Sequence, residues 1–327
     1  MTVLLELRNL KVYFKKKNTD IPAVDGVDLK IRKGESVALV GESGSGKSIT
    51  SLSIMRLIPI PPGKIVDGEI FFDGKDLVKL PEDEMCKIRG NDISMIFQEP
   101  MTSLNPVLTI GEQIIEMLIY HQKMSKALAR KKAIQMLEMV GFSRANEIID
   151  DYPHRLSGGM RQRVMIAMAM SCNPKLLIAD EPTTALDVTI QAQILELMKD
   201  LSKKFDTSIL MITHDLGIVS EVADRVVVMY AGQVVEEATV DHLFDEPLHP
   251  YTDALIGSVP LIEGEISRLK SIEGNVPSPE KYPKGCRFAP RCPKAFERCF
   301  SEMPQLIKKN GSRSVRCFLH EGKGANE

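Results

Sequence analysis

The chain has 327 residues, of which 43% are hydrophobic and 26% charged, a composition typical of a folded protein with a large core. Its formal net charge of −2 gives no overall positive field, which argues against nucleic acid as the main partner. No apolar run approaches the ~18 residues that span a bilayer, and the N-terminus lacks the apolar segment of a secretion signal. These features predict a cytoplasmic protein, whose six cysteines are thiols or metal ligands rather than disulfides.

The first part of the chain is predicted to alternate short strands with one glycine-rich loop. Residues 2–14 alternate apolar and polar side chains, which predicts a strand, and Val27–Ile31 predicts a second. Ser36–Gly41 is a short β-branched apolar run, typical of a buried parallel strand, and it leads directly into the loop. Ile49–Leu57 has helical spacing, so the loop lies between a strand and a helix.

The middle of the chain is predicted to be mostly helical, with short apolar strands around the helices. Residues from about 107 to 172 have helical spacing, and so do residues 189–205. Strands are predicted at Glu69–Phe72, Ile93–Phe97, Lys175–Asp180 and Thr207–Thr213. Together the strands and helices favour an α/β fold.

The last third is predicted to begin with a hairpin and to end in a cysteine-rich segment. Arg225–Tyr230 and Gln233–Glu237 are expected to pair across Ala231-Gly232. Helical segments are expected to continue to about residue 272, and a proline-rich break at 277–283 precedes the cysteines.

The glycine-rich loop, Gly41–Ser48, matches the motif G-x-x-x-x-G-K-[ST] completely. Its glycines permit backbone conformations that turn N–H groups toward phosphate oxygens, and the following helix N-terminus adds partial positive charge. Lys47 is expected to reach the β- and γ-phosphates, and the Ser48 hydroxyl to ligate Mg²⁺. The strand and helix on either side argue against a chance turn. The residues predicted to bind nucleotide here are Gly41, Ser43, Gly44, Ser45, Gly46, Lys47, Ser48 and Ile49.

A second candidate site is a pair of acids at the end of a predicted buried strand. Leu176–Ala179 are four apolar residues, and Asp180 and Glu181 follow them directly. In a phosphate-loop fold, a carboxylate at the carboxyl end of such a strand lies beside the nucleotide. Asp180 is expected to hold Mg²⁺ through water, and Glu181 to polarise the attacking water as general base. The pair alone is a weak signal, because strands often end in an acidic turn.

Further motifs surround these two sites in a fixed order. Leu156–Arg163 reads LSGGMRQR, Thr184–Asp187 follows the acidic pair, Thr213–Asp215 closes the next apolar strand, and Gln98 ends an earlier one. With these motifs the chain closely resembles the nucleotide-binding subunit of ABC transporters over roughly residues 1–260. The resemblance implies a P-loop NTPase cassette with a RecA-like core, an antiparallel β subdomain and an α-helical subdomain.

The resemblance implies that two cassettes face each other. Ser157, Gly158 and Gly159 form the signature motif, which contacts the γ-phosphate of ATP held by the opposite cassette, and Asp187 lies in the D-loop that bridges the two. ATP then closes the pair and hydrolysis reopens it. Many family members have glutamine where this chain has Met160, which cannot donate the same hydrogen bonds. Because the phosphate-facing residues are intact, hydrolysis is expected to survive.

The resemblance also assigns the remaining site residues. His214 is the switch histidine, near the γ-phosphate and the catalytic Glu181. Gln98 is the Q-loop residue, which links Mg²⁺ and water to the membrane partner. An aromatic side chain near the end of the first strand stacks on adenine; Phe14 fits that position best by spacing, and Tyr13 is the alternative. The implied Mg²⁺ ligands are Ser48, Gln98 and Asp180.

The C-terminal part of the chain resembles that of dipeptide and oligopeptide importers. His249–Thr252 (HPYT) and residues 273–279 (EGNVPSP) carry this resemblance, and residues 99–106 resemble the permease-docking sequence of peptide importers. The implied function is ATP hydrolysis that powers peptide import through separate membrane permeases, with an extracytoplasmic peptide-binding protein acting indirectly. The protein is then peripheral, at the cytoplasmic face of the membrane, and pairs with a second cassette as a homodimer or heterodimer. No nucleic acid partner is expected.

Three alternatives compete with peptide import. An importer cassette for another solute, such as nickel or a sugar, is the main one, because the cassette motifs do not distinguish solutes. A soluble ABC ATPase acting on nucleic acid usually has two cassettes or long coiled coils, which this chain lacks. A redox sensor with a vestigial cassette conflicts with the intact motif residues.

Four of the six cysteines, Cys286, Cys292, Cys299 and Cys317, fall near the C-terminus with the spacing C-x5-C-x6-C-x17-C. Structural zinc sites usually have shorter steps, and the ferredoxin spacings do not match either. Residues 281–317 carry ten Lys or Arg against two Glu, a balance of +8 that can offset an anionic cluster. Similar importer cassettes bind iron–sulfur clusters, so the resemblance favours a [4Fe–4S] cluster. Zinc is one alternative, and cysteines that are reduced or prone to form disulfides are the other. The lone Cys86 and Cys172 are expected to be buried.

These observations predict two domains. Residues 1–260 form the nucleotide-binding domain, with its helical subdomain at about 99–172. Residues 261–327 form a small metal-binding extension. Metal binding can supply folding free energy to such a short unit, so a structural role is expected for the cluster.

Overall fold

The computed structural model describes residues 2–17, 19–98, 103–184, 186–258, 272–309 and 313–322. The chain forms two compact units. The first, called the helical unit, contains Thr2, Arg32–Glu35 and Lys79–Met211. The second, called the loop unit, contains Val3–Ile31, Ser36–Val78 and the described residues from Ile212 onward.

Strands and helices alternate through most of the described chain. The strands are β1 (Val3–Lys16), β2 (Thr19–Arg32), β3 (Ser36–Val40), β4 (Gly63–Phe72), β5 (Lys75–Asp76), β6 (Ile93–Ile96), β7 (Leu176–Asp180), β8 (Ser208–Thr213), β9 (Arg225–Tyr230), β10 (Gln233–Thr239), β11 (Ile307–Lys308) and β12 (Ser314–Val315). The α-helices are α1 (Lys47–Ile54), α2 (Glu82–Ile88), α3 (Ile110–Gln122), α4 (Lys126–Met139), α5 (Ala145–Ile148), α6 (Gly158–Met170), α7 (Val188–Phe205), α8 (Leu216–Val222), α9 (Val240–Asp245), α10 (Pro250–Ile256) and α11 (Glu297–Ser301).

The loop unit contains an antiparallel sheet with the strand order β2-β1-β4-β5. β1 pairs with β4 from Leu5 opposite Phe72 to Phe14 opposite Gly63. The predicted strand at 2–14 is confirmed. β2 and β4 are both longer than predicted, because their first halves show no regular apolar–polar alternation and are held extended by pairing with β1.

The loop unit also contains the strand order β11-β12-β10-β9-β3. β3 and β9 are parallel, and both are buried along their lengths, as their apolar sequences predict. The predicted hairpin is confirmed: Tyr230 pairs with Gln233 across Ala231 and Gly232, whose φ values are +49° and +81°. Two positive φ values in a two-residue turn are the geometry that matches the twist of a hairpin.

The helical unit packs α3, α4 and α6 together beside the strand order β8-β7-β6. β6 and β7 are parallel, with Ile93 opposite Leu176, and every residue of β7 is buried. α3 begins with a capping box in which Thr109 and Glu112 satisfy each other's backbone N–H groups. The prediction of helices between about 107 and 172 is confirmed.

Several elements were not predicted. α2, α8 and α11 have seven residues or fewer, and β11 and β12 have two each, so they are too short to show a periodic pattern. β12 pairs with β10, Glu236 lying opposite Val315, so the cysteine-rich end adds strands to the sheet of the loop unit. Among the described residues, no helix combines the length and the apolar character required to cross a membrane. The predicted helices at 259–271 and the predicted domain boundary at 260/261 lie outside the described residues.

Candidate functional site

At two positions of the glycine-rich loop, the backbone conformation and its close neighbours leave room only for glycine. Gly41 and Gly46 have φ values of +149° and +99°. A Cβ atom at Gly41 would lie 2.2 Å from the carbonyl oxygen of Met229, and one at Gly46 would lie 2.7 Å from that of Ala23. Any larger residue therefore clashes with a neighbouring backbone and also strains its own. The loop is consequently pressed against β9 and β2, and α1 begins directly after it at Lys47.

The Lys47 ammonium lies over the loop that precedes it. Its Nζ donates hydrogen bonds to the carbonyl oxygens of Gly41 at 2.6 Å and Glu42 at 3.0 Å, and the residue is only 6% exposed. Ser45 is fully buried, whereas Ser48 and Ile49 are partly exposed in the first turn of α1. The loop thus holds a cation at its centre and a helix N-terminus at its end, which together favour bound anions.

In the helical unit, the acidic pair lies at the carboxyl end of β7. Asp180 is 5% exposed, and Glu181 has a φ of +47°. One carboxylate oxygen of Glu181 accepts hydrogen bonds from Gln98 Nε2 at 3.0 Å and from Thr184 Oγ1 at 2.9 Å. Gln98 follows β6, the parallel neighbour of β7, so the structure brings the predicted Gln98 and Glu181 together. Thr184 was not assigned to Glu181 from sequence.

The signature residues form an exposed helix start in the helical unit. Ser157 is the N-cap of α6, and its side chain accepts a hydrogen bond from the Met160 N–H at 3.4 Å. Gly158 is exposed, and a Cβ at Gly159 would lie 2.9 Å from the Ile190 side chain on α7. Asp187, at the N-terminus of α7, is exposed as well. The signature residues and Asp187 therefore lie at the N-termini of two neighbouring helices, α6 and α7, and Ser157, Gly158 and Asp187 are exposed.

His214 and the two aromatic candidates belong to the loop unit. His214 is exposed, just after β8, where Asp215 caps α8 by accepting the Gly217 N–H at 2.9 Å. Tyr13 donates its hydroxyl to Asp25 at 3.1 Å, whereas the Phe14 ring lies against Gly63. Both aromatic side chains are partly exposed. Which of them stacks on adenine stays a prediction, as do the roles of His214 and of Ile49.

All four C-terminal cysteines line one small cavity in the loop unit, of about 20 Å³. The Cys286 N–H donates to the Cys299 carbonyl at 2.8 Å, which ties two of the cysteine segments together. Burial raises the pKa of Cys286 and of Cys292, and burial together with the other three thiols raises that of Cys317 to about 11. Cys286, Cys292 and Cys317 therefore hold their thiol protons more firmly than a free cysteine does, and a metal must displace those protons to bind.

The cavity offers four thiol groups, which are the donors that a thiolate-bound metal group needs. In this structure their side chains do not converge closely enough to coordinate a single metal ion. Within the described residues, no group of three or more His, Cys, Asp or Glu side chains is arranged to hold a metal ion. The other two cysteines lie elsewhere. Cys172 is buried as predicted, but the prediction for Cys86 is wrong: it is only partly buried, beside Glu82 on the surface of α2.

Two family models match the chain. The ABC transporter model matches residues 24–184, which include the phosphate loop and the acidic pair. The model described as oligopeptide/dipeptide transporter, C-terminal region, matches residues 235–299, which include three of the four clustered cysteines.

Curated relatives match over nearly the whole chain. The oligopeptide transport ATP-binding protein AppD of Bacillus subtilis is 68% identical over 100% of both chains. The dipeptide transport ATP-binding protein DppD of the same organism is 51% identical over 98% of this chain and 96% of its own.

Solved structures of ATP-binding cassettes share the fold. A dimeric post-hydrolysis state of the cassette MJ0796, bound to ADP and Pi, matches with a TM-score of 0.65 and 33% identity, over 72% of this chain and 99% of that one. The chain therefore has the α/β P-loop cassette fold and belongs to the ABC transporter family, among the oligopeptide and dipeptide transport ATP-binding proteins.

Proposed function

We propose that this chain is the ATP-hydrolysing subunit of an importer for oligopeptides or dipeptides, and that separate membrane permeases carry the peptide. The observation that carries the proposal is the C-terminal region matched at residues 235–299, because relatives with this region are named for oligopeptide or dipeptide transport. An importer for another solute has no comparable support.

In the proposed reaction, Glu181 takes a proton from the water that attacks the γ-phosphate. The hydrogen bonds that Gln98 and Thr184 donate to it fix the orientation of its carboxylate. Lys47 leaves the loop carbonyls for the β- and γ-phosphates, while the loop N–H groups and the α1 N-terminus hold the remaining charge. His214 acts at the γ-phosphate, and Phe14 or Tyr13 stacks on adenine.

Mg²⁺ is proposed to bind with ATP through Ser48, Gln98 and Asp180. Hydroxyl, amide and carboxylate oxygens are the ligands that this hard cation prefers, which supports the assignment. When bound, the ion neutralises charge that develops on the phosphate oxygens.

The signature residues are proposed to act on ATP held by a second cassette, in a homodimer or a heterodimer. The exposure of Ser157, Gly158 and Asp187 supports this role, and the MJ0796 cassette has been solved as a dimer. Binding to the permeases places the protein at the cytoplasmic face of the membrane. The proposed permease-docking sequence begins at residues 99–102, which lie outside the described residues.

Replacing Glu181 by glutamine in the organism that encodes this protein tests the transport function. Because the variant retains the fold but lacks the general base, uptake of labelled dipeptides and oligopeptides is expected to fall to the level of a strain without the gene. Uptake of a free amino acid in the same strains is the control and is expected to be unchanged. Peptide uptake equal to that of the wild type would contradict the proposal.

We further propose that Cys286, Cys292, Cys299 and Cys317 hold a [4Fe–4S] cluster. A single zinc ion needs four ligands at about 2.3 Å from one point, and no such close group is present among the described side chains. A cluster, unlike a single ion, does not need its four thiolates to converge on one point, and all four cysteines line one cavity. The excess of basic residues in this segment favours an anionic group, although Arg287, Arg291, Arg298 and Arg313 pair with carboxylates.

Anaerobic purification tests the cluster. The wild-type protein is expected to be brown, with broad visible absorption and with bound iron and sulfide. Cys292→Ser removes one ligand and is expected to lose most of the iron, whereas Cys86→Ser, at a cysteine outside the cavity, is expected to keep it. Colourless protein with stoichiometric zinc would overturn the cluster and identify zinc as the bound metal.

A further inference from the structure

Glu42, the second residue of the phosphate loop, is held from two sides by residues that lie far along the chain. Its backbone N–H donates to the Tyr251 hydroxyl at 2.8 Å. Its side chain receives two hydrogen bonds from Arg291, from Nη1 at 2.6 Å and from Nη2 at 3.1 Å. The motif assigns no role to this position, since it is one of the four variable residues between the two glycines.

The Arg291 guanidinium is fixed by every N–H group that it has. Besides Glu42, it donates to the Tyr230 hydroxyl at 3.3 Å and to the carbonyl oxygens of Ile272 at 3.2 Å and Glu273 at 3.0 Å. These five bonds use its five donors, and the side chain is only 5% exposed. A planar, two-bond pair of this kind holds a carboxylate in one orientation.

Tyr251 is equally rigid. It is fully buried, its ring packs on Tyr230 at 4.7 Å and on Phe288 at 5.4 Å between centroids, and its own N–H bonds to the His249 ring at 3.0 Å. Burial lowers the pKa of His249 to about 3, which keeps the ring neutral and able to accept that bond. The N–H groups of Leu248 and His249 bond in turn to the buried Glu236, both at 2.8 Å.

The position of Glu42 matters because it supports Lys47, which is proposed to bind the phosphates of ATP. The Glu42 carbonyl is one of the two that hold Lys47 Nζ. Its carboxylate also lies one residue after Gly41 in a loop that binds anions, where an unpaired negative charge would repel a triphosphate. Arg291 neutralises that charge and holds it to one side.

We propose that Tyr251 and Arg291, here called the Glu42 clamp, position the phosphate loop for nucleotide binding. Arg291 is then a positioning residue that acts through Glu42, although it lies in the cysteine-rich end next to Cys292. The clamp makes ATP affinity depend on a folded C-terminal segment. The inference rests on the proposed binding of ATP at the loop.

Three variants test the clamp, because they are expected to change ATP affinity in different directions. Arg291→Gln leaves the Glu42 carboxylate unpaired and is expected to weaken binding of a fluorescent ATP analogue about tenfold, or roughly 1.4 kcal/mol. KM for ATP is expected to rise by a similar factor while kcat at saturating ATP changes little. Glu42→Gln removes the repelling charge and is expected to leave affinity equal to or above that of the wild type. The double variant is expected to recover most of the affinity lost in Arg291→Gln.

The matched control is Arg313→Gln. Arg313 belongs to the same C-terminal segment and pairs with Glu246 rather than with a residue of the loop. The Arg313→Gln variant is expected to bind the ATP analogue as the wild type does. Arg291→Lys keeps the positive charge but cannot donate two parallel hydrogen bonds to Glu42, so its affinity is expected to lie between those of the wild type and Arg291→Gln. Equal weakening in Arg313→Gln, or no recovery in the double variant, would reduce Arg291 to a structural role and overturn the clamp.

Lys47→Ala separates the clamp from the site on which it rests. If that variant binds ATP normally, the assignment of ATP to the loop fails. If it loses binding while Arg291→Gln binds as the wild type does, the clamp alone fails. Thermal melting of each variant identifies any that is unfolded. If Arg291→Gln is unfolded, the ATP affinity of Arg291→Lys tests the clamp instead.

Discussion

Replacing Glu181 by glutamine is expected to lower kcat for ATP hydrolysis about 10²–10⁴-fold, the usual contribution of a general base, while ATP affinity stays within a few-fold of the wild type. Glutamine has the same shape, so it can still accept the hydrogen bonds from Gln98 and Thr184. It cannot take a proton from water at neutral pH. Because ATP is then bound but not consumed, the closed pair of cassettes is expected to accumulate.

Three measurements check this result. Phosphate release gives kcat, a fluorescent ATP analogue gives affinity, and size-exclusion chromatography with ATP gives the share of dimer. The matched control is Glu138→Gln, which makes the same change at an exposed position on α4. Turnover close to that of the wild type in Glu181→Gln would remove Glu181 from the role of base and leave the acidic pair to another function.

Gly285→Ala is expected to abolish iron binding without touching a cysteine. An added Cβ would lie 2.3 Å from the Cys299 carbonyl oxygen, 2.7 Å from the Phe300 carbonyl carbon and 2.9 Å from the Glu302 carbonyl oxygen. These are backbone atoms, so α11 and the residues that follow it would have to move away. The bond between the Cys286 N–H and the Cys299 carbonyl would then break, and the two thiols would separate.

Iron and sulfide per chain, compared with the wild type, measure the effect. Gly217→Ala serves as the control, because its added Cβ meets only the movable end of the Asp215 side chain at 3.1 Å, far from the cysteines in sequence. It is expected to retain the wild-type iron content. Wild-type iron content in Gly285→Ala as well would show that the four thiols do not need the close approach of these two segments.

The motif residues could be found from sequence because each has a strong local signal. The phosphate loop is a complete match between a β-branched run and a helical pattern, and the acidic pair directly follows four apolar residues. The structure confirms β3, α1 and β7 at these places. The pairing of Gln98 with Glu181 follows less directly. It depends on β6 and β7 being parallel neighbours, so that their carboxyl ends meet.

Other features had no local signal. The lengths of β2 and β4 were underestimated because their first halves lack a regular alternation and are held extended by backbone pairing with β1. The prediction that Cys86 is buried was wrong, since α2 exposes one side of that residue to solvent. β12 was missed because two residues show no period, yet its pairing with β10 joins the cysteine-rich end to the sheet.

The sequence by itself determined the cassette fold, the order of its motifs and the residue types that bind phosphate, because these depend on contiguous residues and on short-range backbone geometry. Only the tertiary structure decided which distant side chains hold those residues in place. Arg291 lies 249 positions from Glu42, and nothing in the residues around either of them indicates the pair. Their contact exists because the loop after β3 packs against α10 and the turn before Cys292. Such long-range packing is set by the whole core of the unit and not by any local pattern.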